Sequence, residues 1–316
     1  MISNVVGVLK MNINISLFLL LTHVASTFSA NILGIFHLHV KSHYTFFRPL
    51  LVRLAERGHA VTVYTPFIRP KTEIISNFAE IDISMCNQLS KEHSGIDFML
   101  STFGSNVWRL AFLFPYLGSR SVEDIETCSP LLKLLNSTTK YDLLIAESFV
   151  SDAMLMFANK FDVPFITTTP NVLAPYQAAR VANAANPSYV PTFGAVTAIG
   201  YQSSMNFWQR VVNTVTYVIS IVVYYAFTMR KEDAVIRHFL GSSAPSLYDT
   251  VKNTSLIFSN SDSCLNPAFP MVPNVVQVSG MQIETAKPIP KVRFQLVLSK
   301  IFYTQRALNT RTSRAD

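Results

Sequence analysis

Three histidines occupy the segment HLHVKSH, at His37, His39 and His43, directly after the apolar run Ile32–Phe36. The apolar run predicts a buried strand, and the apolar residues that follow at helical spacing predict a helix. The carboxyl end of a strand is where open α/β sheets usually hold their ligands. The histidines therefore stand either at a reactive site or in a turn that joins two elements.

Metal binding is one chemistry that this cluster suggests. On a strand, His37 and His39 would share a face, as zinc ligands can. However, no acidic residue or histidine follows at short range, and no later histidine cluster completes a set of ligands. We therefore predict no metal and interpret His37 and His39 as polar strand-end residues. A metal hydrolase that uses all three histidines is kept as a remote alternative.

His43 has a candidate partner on a second strand. The run Tyr141–Ala146 predicts a strand that ends at Glu147, in the same topological position as the strand before His43. A neutral imidazole takes a proton from a bound hydroxyl when a carboxylate holds its other nitrogen in the right tautomer. Such a pair follows the logic of a catalytic triad without its serine. The alternative is that Glu147 is a solvated charge at a strand end.

Strand-like and helix-like runs alternate along the chain. Strands are predicted at 31–36, 60–65, 81–85, 141–147, 163–169, 255–260 and 274–280, and helices at 45–57, around 91–117 and at 152–161. Gly58 stands where the first helix needs its C-terminal cap. This alternation predicts an α/β fold with a mostly parallel sheet and helices on both faces.

Residues 1–30 predict a secretory signal peptide. Lys10 precedes a short apolar core at Ile15–Leu21, and small residues cluster at Ala25–Ala30. The core is too short for a comfortable membrane span. The alternative is a buried first strand or helix. We expect the chain to enter the secretory pathway and to reside in the lumen of the endoplasmic reticulum.

Sequons and cysteines bear on the same compartment. The triplets that begin at Asn136 and Asn253 fit the acceptor pattern for glycosylation. The three cysteines allow at most one disulfide within the chain. The formal net charge is +7, and residues 292–316 hold five basic residues against one acid. Because the excess charge is concentrated in this tail, it does not predict nucleic-acid binding.

Residues 207–231 depart from the α/β pattern. They form a largely uncharged stretch between Arg210 and Arg230, with aromatic residues near both ends, interrupted by Asn213, Thr214 and Ser220. We predict a helix that lies on or partly in a membrane surface rather than a true span. A buried core helix is the alternative, and a chain not held at the membrane would be secreted.

Two longer segments carry a family resemblance. The stretches ILGIFHLHVKSHYTFFRPLLVRLAERGHAVTVYTPF and YDLLIAESFVSDAMLMFANKFDVPFI resemble the amino-terminal half of the UDP-glycosyltransferases, especially insect members akin to UDP-glucuronosyltransferases. The resemblance ends near Lys291, where PNVVQVSGMQIETAKPIPK resembles the linker to the second domain. It implies Rossmann-like halves of the GT-B type, with an acceptor-binding domain at 31–280 and a linker with a divergent basic tail at 281–316.

The resemblance also assigns roles. His43 matches the family's catalytic base, which removes a proton from the acceptor hydroxyl. Glu147 stands where many relatives have an aspartate that pairs with this base, and Asp152 is a nearby substitute. The implied co-substrate is a UDP-sugar, the acceptor is a small lipophilic molecule, as in detoxification, and neither metal nor cofactor is required.

The tail after Lys291 departs from the family pattern. Residues 292–316 contain no glycine and none of the phosphate-binding signature of the family's donor domain. We therefore expect this chain to be inactive on its own. The alternative is a non-catalytic module that binds lipophilic ligands or forms oligomers with full-length relatives.

Overall fold

The computed structural model describes residues 29–69, 75–86, 107–183, 185–192, 204–264, 266 and 269–283. The chain divides into two compact units, residues 1–282 and 283–316, and every element described below belongs to the first. The predicted signal peptide, except for residues 29 and 30, and the basic tail lie outside the described residues, as does most of the helix predicted around 91–117.

Within the described residues, seven parallel strands form one sheet. They are β1 Asn31–Ile35, β2 Ala60–Thr65, β3 Phe78–Asp82, β4 Leu143–Glu147, β5 Phe165–Thr169, β6 Leu256–Ser259 and β7 Val275–Gln277. Their order is β3-β2-β1-β4-β5-β6-β7, which confirms the α/β prediction. The chain winds in one direction from β1 to β3 and in the other from β4 to β7. The carboxyl ends of β1 and β4 are therefore the switch point at which open sheets bind ligands.

Helices connect these strands. They are α1 Lys41–Glu56, α2 Val107–Ser121, α3 Glu123–Thr127, α4 Ser129–Leu135, α5 Met156–Phe161, α6 Pro175–Arg180, α7 Phe207–Val223, α8 Arg230–Leu240 and α9 Leu247–Lys252. A π-helical segment, Tyr224–Met229, joins α7 to α8, and short 3₁₀ turns occupy Ser84–Cys86 and Ala153–Leu155.

Alternate residues of the strands feed two apolar clusters on opposite faces of the sheet. On β1, Ile32 belongs to the cluster that also contains Phe47 and Leu51 of α1, whereas Leu33 belongs to the cluster that contains Phe157 of α5. Successive side chains of a strand point to opposite faces, so both faces of a central strand must be apolar when helices cover both. This explains the nearly continuous apolar run that precedes the histidines.

The first helix begins earlier than its apolar pattern predicts. It starts at Lys41 instead of residue 45, and its N-cap Val40 has no side chain that accepts a backbone hydrogen bond. Without a Ser, Thr, Asp or Asn cap, the sequence carries no start signal at this position. Gly58 follows the helix with φ of 94°, the left-handed region that glycine adopts without strain, as predicted.

Two predictions near the edge of the sheet are wrong in detail. The third strand is Phe78–Asp82, not 81–85, because the chain leaves the sheet after Asp82 and Ile83 is buried from the following turn. His37 and His39 do not lie on a strand, since β1 ends at Ile35. They belong to the connection between β1 and α1.

Cys86 and Cys128 form a disulfide, and Cys264 is free and exposed. The bond joins the turn after β3 to the junction of α3 and α4. The sequence allowed a single intrachain disulfide but gave no indication of which pair would form.

Candidate active site

Helix α1 and strand β4 bring His43 and Glu147 to the switch point. His43 is the third residue of α1, and its backbone N–H donates to the Val40 carbonyl at 3.0 Å. Glu147 is the last residue of β4, which pairs directly with β1. Adjacent parallel strands end at the same edge of a sheet, so the helix that follows β1 begins beside the end of β4.

The two side chains are in direct contact. His43 Nδ1 lies 2.5 Å from Glu147 Oε1, and the side chain of Glu147 is 1% exposed against 11% for that of His43. A carboxylate can only accept, so Nδ1 carries the hydrogen in this contact. The other ring nitrogen, Nε2, is then the acceptor that remains for a substrate hydroxyl. The longer glutamate side chain reaches the imidazole without help from a second acid.

Phe149 packs against the imidazole. Its ring meets the ring of His43 edge-on, with centroids 5.1 Å apart and planes at 86°. The aromatic contact and the carboxylate contact restrain the imidazole from different directions. Phe149 also contacts the ring of Phe114 on α2, at 5.2 Å between centroids. The sequence motifs gave no signal for this role of Phe149.

Asp152, the alternative partner for His43, is engaged elsewhere. Its Oδ1 accepts from Arg180 Nη1 at 2.6 Å and its Oδ2 accepts from Tyr224 Oη at 2.5 Å. Its Oδ1 also accepts from the Ser148 hydroxyl. With both oxygens occupied, Asp152 belongs to a buried cluster behind the dyad rather than to the dyad itself.

His37 and His39 lie close to the site without forming part of a metal centre. Burial and the neighbouring His39 lower the pKa of His37 to about 3, so its ring stays neutral. One nitrogen of His39, Nε2, lies 3.0 Å from the Ser84 carbonyl. Among the described residues, no group of three or more His, Cys, Asp or Glu side chains is arranged to hold a metal ion. The geometry gives no support to the alternative of a metal hydrolase.

A cavity of about 250 Å³ opens beyond the ends of β5 and β6, along the same edge of the sheet. Its lining includes Asn171, Leu173, Pro175, Tyr217, Asn260 and Phe269. None of the lining residues that the structure describes is charged. The cavity therefore suits an apolar molecule with neutral polar groups.

The two candidate glycosylation residues lie far from this edge in the fold. Asn136 follows α4 and Asn253 follows α9, and both are exposed.

The fold and site define a class of protein: an open parallel α/β sheet with a histidine–carboxylate pair at its ligand-binding edge. Comparison with known proteins gives the family. The sequence model described as "UDP-glucoronosyl and UDP-glucosyl transferase" matches residues 39–299. The chain belongs to this family of UDP-glycosyltransferases, as the sequence resemblance indicated, but the match continues to residue 299 instead of ending near Lys291.

Individual relatives agree with this assignment. The chain is 42% identical over 276 residues to "UDP-glycosyltransferase UGT5" of Dactylopius coccus, a match that covers 87% of this chain and 52% of the relative. It is 32% identical to "UDP-glucosyltransferase 2" of the same insect, over 83% of this chain and 49% of the relative. The chain thus spans about half the length of these curated relatives.

A solved structure, "Crystal structure of LpCGTa in complex with UDP", is similar over 83% of this chain and 56% of that chain, with 13% identity and a TM-score of 0.32. A TM-score of 0.32 does not indicate a shared fold or function.

Proposed function

We propose that this chain is the acceptor-binding half of a GT-B-type UDP-glycosyltransferase, and that His43 is its catalytic base. The contact between His43 Nδ1 and Glu147 Oε1, at 2.5 Å, supports this proposal most directly. When Nδ1 of the imidazole carries the hydrogen, Nε2 is the nitrogen that can accept the proton of a hydroxyl group.

The proposed reaction is a single displacement at the sugar. The acceptor hydroxyl gives its proton to His43 Nε2 while its oxygen bonds to the anomeric carbon of the sugar. The bond between that carbon and the diphosphate oxygen breaks, and UDP leaves with the electron pair. Glu147 then faces an imidazolium and stabilises its charge. No step requires a metal or a cofactor, and the sugar is a hexose or glucuronic acid held by a donor-binding portion.

The acceptor is a small lipophilic alcohol or phenol of the kind conjugated in detoxification. The uncharged cavity beyond β5 and β6, which neither His43 nor Glu147 lines, supports only the apolar character of the acceptor, since a charged molecule would find no ionic partner among its described lining residues. The amides of Asn171 and Asn260 offer neutral hydrogen-bonding groups at its wall.

We also propose that the protein works at the lumenal surface of the endoplasmic reticulum. The segment Phe207–Leu240 is, within the described residues, the helical stretch long and apolar enough to cross a membrane, and 22% of its most apolar window is buried. The disulfide and the two exposed sequons are typical of an oxidising compartment. Glycosidase treatment of protein from insect cells should shift its gel mobility, and a cytosolic, unshifted protein would contradict this location.

The test of the catalytic proposal is His43→Ala in this chain completed with the donor-binding half of a relative. We expect kcat to fall about 10²- to 10⁴-fold, the usual contribution of a general base. Glu147→Gln should lower kcat less, because the base remains while its orientation and the stabilisation of its charge are weakened. Arg53→Ala, an exposed position on the same helix, is the control. A His43→Ala enzyme within a few-fold of wild type would end the proposal. Retained phenol binding without any transfer in the wild type would favour a non-catalytic binding module.

A further inference from the structure

A short loop joins the acid of the dyad to a buried polar cluster. Residues 148–152 directly follow Glu147, and Phe149 within them packs edge-on against the His43 ring. The loop thus determines both contacts of the imidazole, the carboxylate on one side and the aromatic ring on the other. Contacts that restrain this loop therefore also restrain Glu147 and His43.

Helix α6 supplies three hydrogen bonds to the first two residues of the loop. Gln177 donates through Nε2 to the Ser148 carbonyl, Tyr176 donates through its hydroxyl to the Phe149 carbonyl, and Arg180 donates through Nη2 to the Ser148 hydroxyl at 2.8 Å. These residues are neighbours on one face of the helix, since positions four apart lie one turn from each other. The helix is therefore hydrogen-bonded to the two residues that follow Glu147.

Arg180 and Asp152 complete the attachment from the far end of the loop. Their side chains form an ion pair of 2.6 Å and are 1% and 0% exposed. Burial acts to lower the pKa of Arg180, but the carboxylate of Asp152 and the oxygen of Tyr224 outweigh it and raise that pKa. Burial, followed by Asp152, raises the pKa of Tyr224 well above its usual range, so its hydroxyl remains a donor to Asp152.

A buried ion pair is a poor means of adding stability. The cost of removing two charges from water offsets most of their attraction, and apolar residues of similar volume often stabilise a fold as well or better. What the pair adds is a defined geometry of hydrogen bonds. Arg180 has a planar fork of donors, and here it bonds Asp152 and Ser148 at once, which fixes the loop in one conformation.

We propose that Arg180 is a positioning residue for the dyad: through Ser148 and Asp152 it holds the loop so that Glu147 Oε1 meets His43 Nδ1. The catalytic consequence rests on the proposed function, but the contact itself is measurable without any sugar transfer. Residue motifs did not single out Arg180. Its one sequence signal is a charge beside the small apolar residues Ala178 and Ala179.

The experiment reads the Nδ1 proton of His43 by NMR in the chain labelled with ¹⁵N-histidine, assigned by its loss in His43→Gln. Ser148→Ala removes only the hydroxyl between Arg180 and Asp152. The double variant Arg180→Met with Asp152→Leu replaces the whole pair by apolar side chains and so avoids an unpaired buried charge. We expect both to fold and both to shift or broaden this proton signal. Ile257→Val, a core change in β6, is the control that lowers the unfolding temperature without shifting the signal.

The outcomes separate the two proposals. An unchanged Nδ1 signal in folded Ser148→Ala overturns the positioning role, and this variant decides alone if the double variant fails to fold. In the chain completed with a donor half, displacement of the dyad should lower kcat by about tenfold to a hundredfold. The KM for the acceptor should change less, because none of the substituted side chains lines the cavity. A shifted signal in a protein that transfers no sugar even as wild type supports the positioning role and contradicts the proposed function instead.

Discussion

Helices α1 and α7 differ in the side chains that they bury and expose. Helix α1 places Phe46, Phe47 and Leu51 against the sheet, and it also buries His43 and Arg48. The buried positions of α7 are Asn213 and Thr216. Exposed apolar side chains of α7 recur at alternating intervals of three and four residues, at Trp208, Val211, Val215, Val218 and Val222, and Phe207 and Arg210 are exposed as well.

The contrast indicates two different surroundings. A helix at the surface of a protein in water turns its apolar stripe inward, as α1 does. Helix α7 exposes an apolar stripe and buries Asn213 and Thr216, a pattern that agrees with the proposal that its outer face lies at a membrane surface. Phe207 and Trp208 at its start have the side chains that favour a membrane interface. The two helices therefore differ in which face is apolar. Each assignment can be tested by substituting polar for apolar side chains, or the reverse, on one face of the helix.

The largest effect is expected on the inner face of α1. Phe47 is 0% exposed and packs against the rings of Phe36 and Phe46. Replacing it with alanine removes this packing and leaves a cavity, so Phe47→Ala should lower the free energy of unfolding by about 3–5 kcal/mol. Urea unfolding followed by circular dichroism measures the change. Arg53→Ala on the outer face of the same helix should stay within about 0.5 kcal/mol. Equal effects at the two positions would contradict the inward assignment of the apolar face.

The inner face of α7 should respond in the opposite sense to apolar substitution. Asn213 accepts from the Thr192 backbone N–H at 2.8 Å and donates to the carbonyls of Pro187 and Val190 at 2.6 and 2.9 Å. Asn213→Val leaves these buried groups without partners and should cost roughly 1–3 kcal/mol of unfolding free energy. The mirrored exchange Val218→Asn is the control and should cost little in detergent-free buffer. A stabilising Asn213→Val would show that α7 follows the same pattern as α1.

His37, in the connection that precedes α1, is a polar ring buried without a hydrogen-bond partner among the described residues. Its pKa is lowered to about 3 by burial and then by His39. The unfolded chain therefore binds a proton below about pH 6.5 that the folded chain rejects. The stability associated with a neutral His37 is full above this pH and is lost as the pH falls toward 3. By pH 5 the loss should reach about 2 kcal/mol.

His37→Leu should remove this part of the acid sensitivity, because leucine does not titrate and leaves no imidazole nitrogen unsatisfied. The measurement is the free energy of unfolding at pH 7.5 and at pH 5 for wild type and variant. His59→Leu serves as the control, since His59 accepts from the Ala30 backbone N–H in a half-buried turn. The same pH dependence in wild type and His37→Leu would contradict the assignment.

The sheet and the contact between His43 and Glu147 could be predicted from the sequence, and the catalytic roles of the two residues stay proposals. Apolar runs of strand length located the strands, and Glu147 was placed because strand ends in a parallel sheet share one edge. The boundaries failed where the signal was not local. Helix α1 begins at Lys41, after the N-cap Val40, which has no capping side chain, and Ile83 is buried by tertiary packing after its strand has ended.

The residues that hold the loop after Glu147 could not be predicted from the sequence. Arg180, Tyr176 and Gln177 reach the loop after β4 from a helix about 30 residues away in sequence, and no periodicity encodes which side chain meets which loop. Helix α7 could be predicted in part. Its composition predicted contact with a membrane surface, but only the structure shows that Asn213 and Thr216 are the residues of this helix that are buried.

The smallest effect on folding is expected at the outer face of α7, where the effect on membrane binding should be the largest. Val211, Val215 and Val218 are 37%, 41% and 51% exposed, so replacing all three with serine removes few intramolecular contacts. The unfolding temperature should change little, because surface substitutions typically stay within about 0.5 kcal/mol each. Binding to lipid should weaken by at least about tenfold, because each valine of the wild type buries apolar surface in the acyl region and serine does not. Flotation with phosphatidylcholine vesicles measures this binding. A matched variant, Ile68→Ser with Met271→Ser, removes exposed apolar side chains outside the stripe and should float like the wild type. A triple variant that floats equally well, or a wild-type chain that does not float at all, would show that the stripe faces something other than a lipid surface.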